Sequence, residues 1–221
     1  MSDRWATFDC YGTLIDWDGG IIGELARLFG DETAPRLRDC YHELEPQVQA
    51  DDPDRTYRSV LRLTLQRLCE AESLVLPDEE ADALARSLPG WAPFPEVPAA
   101  LEDLRARGWR LAILSNTDRE LIEASMAAIG APFELAVVAS EIGSYKPARR
   151  HWDVFAELTG ATRDRHVHVA QSLFHDIATT SQLGVPSIWI NRLDEQPRPM
   201  PTRELPDLTR LPDTLDELVP Q

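Results

Sequence analysis

Basic residues are scarce in this 221-residue chain: 22 Lys and Arg stand against 38 Asp and Glu, a formal net charge of −16. Such a chain repels nucleic-acid phosphates and anionic lipid headgroups, so neither is an expected partner. An anionic small molecule stays open, because a few local cations can dominate a pocket. Cysteine is equally sparse. Cys10, Cys40 and Cys69 are odd in number and show no CxxC spacing, which argues against a disulfide framework or a zinc site and suits thiols in a reducing compartment. No apolar run is long enough to span a bilayer, and the opening MSDRWATFDCYG lacks the basic-then-apolar pattern of a signal peptide. A cytoplasmic location and no membrane partner are therefore expected. Trp5, Trp17, Trp91 and Trp189 lie in acidic surroundings and make no nucleic-acid signature. What is present, 43% hydrophobic and 27% charged residues, is enough for a packed core. The length allows one domain, or a core domain with a smaller insert.

The insert is visible in the periodicity. Trp5 to Phe8 reads as a strand ending at Asp9, after which Gly12 allows a sharp exit. Ile21, Ile22, Leu25, Ala26 and Phe29 fit an amphipathic helix stopped by Gly30. From about residue 19 to 88 no strand run occurs. Tyr57, Val60, Leu61, Thr64, Leu65 and Leu68 form one helical stripe, and Ala81, Leu84, Ala85 and Leu88 another. The proline-rich PGWAPFPEVP marks the return. Beyond it the chain alternates: a helix with Leu101 and Leu104, the strand RLAILS, and a helix opened by a Thr117/Glu120 capping box. ELAVVAS, HVHVAQS and PSIWIN follow as strands, with helices over Trp152 to Leu158 and Asp176 to Leu183 between them, and PDLTRLPDTLDELVPQ supplies a last short element. This alternation predicts an α/β fold, a Rossmann-like three-layer core with a parallel sheet and an inserted helical cap. The expected division is residues 1–15 and 92–221 for the core and 16–91 for the cap.

Polar residues recur where these strands end: Asp9; Ser115 with Asn116; Lys146; and Gln171, Ser172 and Asp176. Open parallel sheets collect their active sites at this edge. Each residue has a plainer reading, Asp9 and Ser115 as turn residues, Lys146 as a solvated loop lysine and Asp176 as a helix cap. Four such stations in one order are more specific than any one of them.

FDCYGTL, LSNT, Lys146 in YKP, and AQSLFHDI together resemble the four motifs of the haloacid dehalogenase superfamily, and the WINR segment resembles its L-2-haloacid dehalogenase-like branch. The resemblance implies Asp9 as nucleophile, Ser115 as hydrogen-bond donor to its carboxylate or to substrate, Lys146 as a cation beside the carboxylates, and Asp176 as the group that orients or activates water. An aspartate can form a covalent ester, and a nearby lysine keeps it ionised. Tyr11, Thr13, Asn116, Gln171, Ser172 and His175 are the expected substrate-binding residues.

Two departures separate the chain from the magnesium-dependent phosphatases of that superfamily. Tyr11 stands where they carry a second aspartate, and a phenol with a pKa of roughly 10 is a poor acid near neutral pH. Gln171 stands where they carry a carboxylate, and magnesium favours charged oxygen ligands. Halide leaves carbon without a general acid, so Tyr11 is tolerable there. The expected function is a metal-independent hydrolase, resembling L-2-haloacid dehalogenases, that forms an aspartyl ester with a small organic acid or related electrophile. No cofactor is expected; Mg2+ belongs to the alternative reading as a small-metabolite phosphatase, and a noncatalytic ligand-binding member of the fold is a third. The resemblance is imperfect in the pocket. The neighbourhood of the branch's cap arginine is Cys40-Tyr41-His42-Glu43, and Arg36, Arg38 and Arg55 read as solvated. Trp152 replaces a tyrosine, and Leu173 and His175 replace an asparagine and a tryptophan. His42 reads as a helix-surface residue, His166 and His168 as sheet or surface contacts. A homodimer is compatible with the sequence and not established by it.

Overall fold

A computed structural model describes residues 3–52 and 54–221; residues 1 and 2 of the expected core and residue 53 of the expected cap lie outside it. The first strand, β1 (Arg4–Phe8), is followed by four helices, α1 (Trp17–Phe29), α2 (Ala34–Asp51), α3 (Tyr57–Ala71) and the short α4 (Ala83–Ser87). The chain returns through α5 (Val97–Ala106), β2 (Trp109–Ser115), α6 (Arg119–Ile129), β3 (Leu135–Val138), α7 (Ala139–Ile142), α8 (Arg150–Thr159) and β4 (His166–Ala170). Then come α9 (Ala178–Leu183), β5 (Ser187–Ile190), β6 (Arg203–Leu205) and α10 (Leu211–Leu218). The six strands form one sheet in the order β3-β2-β1-β4-β5-β6, every pair parallel.

Alternation along the strands divides the core into layers. Ala6 and Phe8 of β1, with Leu111 and Ile113 of β2, pack with Leu101, Leu121 and Leu215 from α5, α6 and α10. Trp5, Ala112 and Leu114 between them face the other way, onto Trp152 and Phe155 of α8. The sheet is thus covered on both faces, the three-layer arrangement the alternation predicts. Phe8 pairs with both Ile113 and Val169, so β1, β2 and β4 release their chains at one edge.

The inserted helices are tied to that edge by two contacts. The Asp118 carboxylate accepts from the backbone N–H groups of Tyr57 (2.8 Å) and Arg58 (2.9 Å), two of the otherwise unsatisfied donors at the start of α3. The Tyr145 hydroxyl donates to Arg55 O at 2.8 Å. This overturns the expected capping box. Asp118, not Thr117, precedes α6 and makes no side-chain cap there; its carboxylate is spent on α3, and Glu120 pairs with Arg58 at 2.6 Å. The Ala81–Leu88 stripe is buried as expected, but Pro77 and Pro89 confine it to α4 between two tight turns. Neither ELAVVAS nor HVHVAQS is strand to its end: α7 begins at Ala139, and Gln171 and Ser172 lie beyond β4. The expected helix from Asp176 begins instead in a wide turn, where Asp176 N and Ile177 N share the Ser172 carbonyl at 3.2 Å. Strand β6 was not legible because a proline-rich approach obscures three residues. Among the described residues no helix is long and apolar enough to cross a membrane.

Candidate active site

Asp9 leaves β1 with its backbone N–H still donating to Val169 O at 3.0 Å, which pins it to β4. The chain then turns back on itself, Leu14 N and Ile15 N both donating to Cys10 O. Gly12 takes φ +86°, a conformation that strains side-chain-bearing residues, and a Cβ there would lie 3.3 Å from Gln171 Oε1. The turn carries Thr13 beneath Asp9. The Thr13 hydroxyl donates to Asp9 Oδ2 at 2.9 Å and accepts from Gln171 N at 2.9 Å. Thr13 is fully buried with its proton spent. It was expected to bind substrate; the structure has it orienting the Asp9 carboxylate.

Lys146, 2% exposed, reaches the same carboxylate from the loop after α7. Its ammonium donates to Asp9 Oδ1 at 2.9 Å, Asp176 Oδ1 at 2.7 Å and Leu114 O at 2.9 Å, so all three N–H bonds are used. Burial alone would depress the lysine pKa, but Asp176 and Asp9 outweigh it and hold the ammonium above the ordinary value. Burial would likewise raise Asp176; Lys146 and His168 reverse this and hold its carboxyl well below the usual range. Lys146 is the only lysine in a chain with 21 arginines. A compact ammonium fits between two carboxylates where a planar guanidinium does not, and that singularity was a signal available in the sequence.

Asp176 is fully buried and is not a helix cap; Ser172 takes that position, its hydroxyl accepting from His175 N at 3.1 Å. Asp176 Oδ1 also meets His168 Nε2 at 2.9 Å. His168 Nδ1 lies 2.8 Å from Thr7 Oγ1, which lies 2.7 Å from His166 Nε2. The assignment that satisfies all three contacts has His166 donating to Thr7, Thr7 to His168, and His168 to Asp176. Burial, with His168 adding to it, pushes His166 down to about 3, in keeping with a neutral ring. The sequence reading missed this relay. A histidine within a strand buried on both faces must find a polar partner, and that was the signal.

These groups open into a cavity of about 460 Å³ whose other wall comes from the inserted helices. Asp9, Ser115, Lys146 and Asp176 all line it, as do Tyr11, Asn116, Gln171, Ser172 and His175. Ser115 is 1% exposed and its Oγ has no hydrogen-bond partner, which leaves it free for a ligand. Asn116 is committed to the loop: its Nδ2 donates to Lys146 O at 3.0 Å and its Oδ1 accepts from Lys146 N at 2.6 Å. Tyr11 bonds Ser125 Oγ at 3.1 Å and stacks on Tyr57, ring centroids 6.0 Å apart; burial raises its phenol far above the ordinary value. His175 Nδ1 lies 3.0 Å from Ser172 Oγ, and burial lowers its pKa.

Several lining residues were not anticipated. Arg192, just beyond β5, donates to Thr13 O (3.0 Å) and Glu96 Oε1 (2.6 Å) and lies 3.6 Å over the Phe94 ring. From the insert come Trp17, Asp18, Glu45, Gln49 and Tyr57. His42, expected on a helix surface, lines the cavity too, 2.8 Å from Asp18 Oδ1 and against Trp17. Arg36, Arg38 and Arg55 stay outside the lining, paired with Glu72, with Asp39 and Asp18, and with Asp52. Trp152 is buried in the far layer, its ring 5.2 Å from that of His168.

The family model described as haloacid dehalogenase-like hydrolase matches residues 4–183. The (S)-2-haloacid dehalogenase of Pseudomonas sp. strain YL is 28% identical over 190 residues, covering 84% of this chain and 81% of that protein. The phosphoglycolate phosphatase of Caulobacter vibrioides is also 28% identical, over 195 residues, covering 83% and 77%. A crystal structure of an L-2-haloacid dehalogenase superposes with a TM-score of 0.87 at 22% identity, covering 98% of this chain and 100% of that one.

Proposed function

The chain belongs to the haloacid dehalogenase-like hydrolases, and from that premise we propose that it hydrolyses a small organic acid or related electrophile without a metal, through an ester to Asp9. The observation that carries this reading is the Lys146 ammonium bonded to both Asp9 and Asp176. The ammonium offsets the negative charge of the Asp9 carboxylate where little solvent reaches it, and a carboxylate is the nucleophile that ester formation needs. An Asp9 oxygen attacks the carbon that bears the halogen, and halide leaves with the bonding pair. Water then adds to the Asp9 side-chain carbonyl carbon, the acyl–oxygen bond breaks, the departing alkoxide takes one of the water's protons, and the other passes to solvent as the Asp9 carboxylate is restored. Asp176 Oδ2, buried without a partner, is suited to hold that water. A carboxylate held this low is a weak base, so it orients water more than it deprotonates it.

The donor set fits a divalent cation poorly. Lys146 occupies the position between the two carboxylates, and Gln171 adds a neutral amide beside Gly12 instead of a charge. The likeness to a phosphoglycolate phosphatase favours a second reading, phosphate-monoester hydrolysis, for which Asp9, Gln171 and Asp176 would have to hold magnesium. Assays of halide release from 2-halo acids and their amides, and of phosphate release from monoesters, distinguish the two. EDTA is expected to leave the principal activity unchanged. Inactivity of the metal-stripped protein, with recovery on magnesium alone, would favour the phosphatase. The three free thiols suit a reducing compartment, and the proposal takes the enzyme to act in the cytoplasm on a small molecule.

A further inference from the structure

The wall opposite the strand ends contains a carboxyl group that the reaction above does not use. Glu45 lies on the buried stripe of α2, with Ala34, Leu37, Tyr41 and Val48. It is 8% exposed and lines the cavity. Tyr57 OH donates to its Oε1 at 2.8 Å. Among the described residues no lysine or arginine forms an ion pair with it, whereas each lysine and arginine lining the cavity is already opposed by acid, Lys146 by Asp9 and Asp176 and Arg192 by Glu96, and His42, whose charge when protonated would favour an ionised Glu45, is bonded to Asp18. A buried carboxyl is tolerated when hydrogen-bond donors surround it, and a cavity places a ligand in that role.

We propose that Glu45 determines which head group the site accepts, and that the substrate is a small α-substituted carboxamide, or a close N–H-bearing equivalent, rather than a carboxylate. The amide N–H would donate to Glu45, while its carbonyl activates the neighbouring carbon toward Asp9. A carboxylate in the same place would set a further negative charge beside Glu45 with every lining cation already paired, and juxtaposed like charges weaken binding strongly. Burial pushes Glu45 up to about 7, so the like-charge argument holds for its ionised form, present above that pH, in which its oxygens accept from an amide N–H and offer no proton to a carboxylate. This assignment rests on reading the cavity as the substrate site of Asp9, and the test separates the two claims.

Titration calorimetry of the full-length Asp9→Asn protein at about pH 8.5, where Glu45 is ionised, with 2-chloropropionamide and with 2-chloropropionate measures head-group preference without turnover. The substitution removes one negative charge and so leans toward the carboxylate. Even so, the amide is expected to bind about tenfold more tightly or better, and adding Glu45→Gln is expected to erase most of that ratio. Should Glu45→Gln fail to fold, the ratio in the parent protein still decides. Equal or tighter binding of the carboxylate, or no binding of either compound, overturns the assignment. Amide binding without halide release by the native protein leaves Glu45's role standing and counts against the Asp9 reading alone.

Discussion

Asp9→Asn and Asp9→Ala are expected to fold and to lose at least about a thousandfold in turnover. Asp9 is the carboxylate at the end of β1, pinned through its own N–H to β4 and held at both oxygens, by Thr13 and by Lys146. No neighbour can substitute. Cys10, fully buried beside it, has its thiol pushed far up by burial and by the Asp9 charge, so it is no thiolate at working pH. Asp176 is fully buried, with its Oδ1 engaged by Lys146 and His168. Asparagine keeps one acceptor oxygen, for Lys146, while its amide N–H can donate to the Thr13 hydroxyl oxygen in place of the lost acceptor, and Lys146 retains Asp176 and Leu114 O, so the fold has no cause to fail. Halide release and thermal melting on the same preparation check this, with mass spectrometry excluding deamidation of the Asn. Full activity in either variant would remove Asp9 from the mechanism.

The largest effect on stability is expected at Lys146. Lys146→Met keeps the length of the side chain and removes the charge, leaving two buried carboxylates without their cation; the loss is about 3–5 kcal/mol near neutral pH, together with turnover. The pH dependence has a definite sign. In the native protein Asp176 is held below its unfolded value of 3.8. Its contribution is therefore present above that value and is lost as the pH falls through the folded one. Without Lys146 the fully buried Asp176 carboxyl is destabilised in its charged form and its folded pKa rises. The variant then loses stability as the pH climbs from acid to neutral. Urea denaturation of both proteins at an acidic and a neutral pH should show the gap narrowing in acid. A gap of equal size at both would mean that Lys146 contributes through packing and not through charge.

Much of this site was legible because of one topological rule. In a parallel sheet the strand ends form a single edge, so a polar residue after each strand falls near the others: Asp9, Ser115, Lys146 and Asp176 were found that way. What the rule does not report is what lies under or over the edge. His168 sits two residues before the end of β4 and reaches Asp176 from below, while its other ring nitrogen meets Thr7, a contact that depends on the register of β4 with β1. Thr13 was assigned to substrate because the direction of a hydroxyl in a turn is not encoded in spacing. Glu45 was overlooked although it falls in the helical register of apolar residues, the position at which an acid most needs explaining. The capping box failed for a related reason: Asp118 and Glu120 had partners on α3, 60 or so residues earlier in the chain, and those contacts displaced local chemistry.

The claim most central to this account is that the substrate is bonded to Asp9 during hydrolysis, and oxygen labelling reads it directly. A single turnover in water enriched in heavy oxygen, with enzyme in excess, would be followed by mass analysis of the product and of the peptide containing Asp9. If Asp9 attacks the halogen-bearing carbon and water then attacks the Asp9 carbonyl, the hydroxylated product carries an unlabelled oxygen from Asp9, and the solvent label appears in the Asp9 carboxylate. Label in the product of that first turnover, with none in the Asp9 peptide, would show that water attacks the substrate directly and would contradict the covalent role given to Asp9.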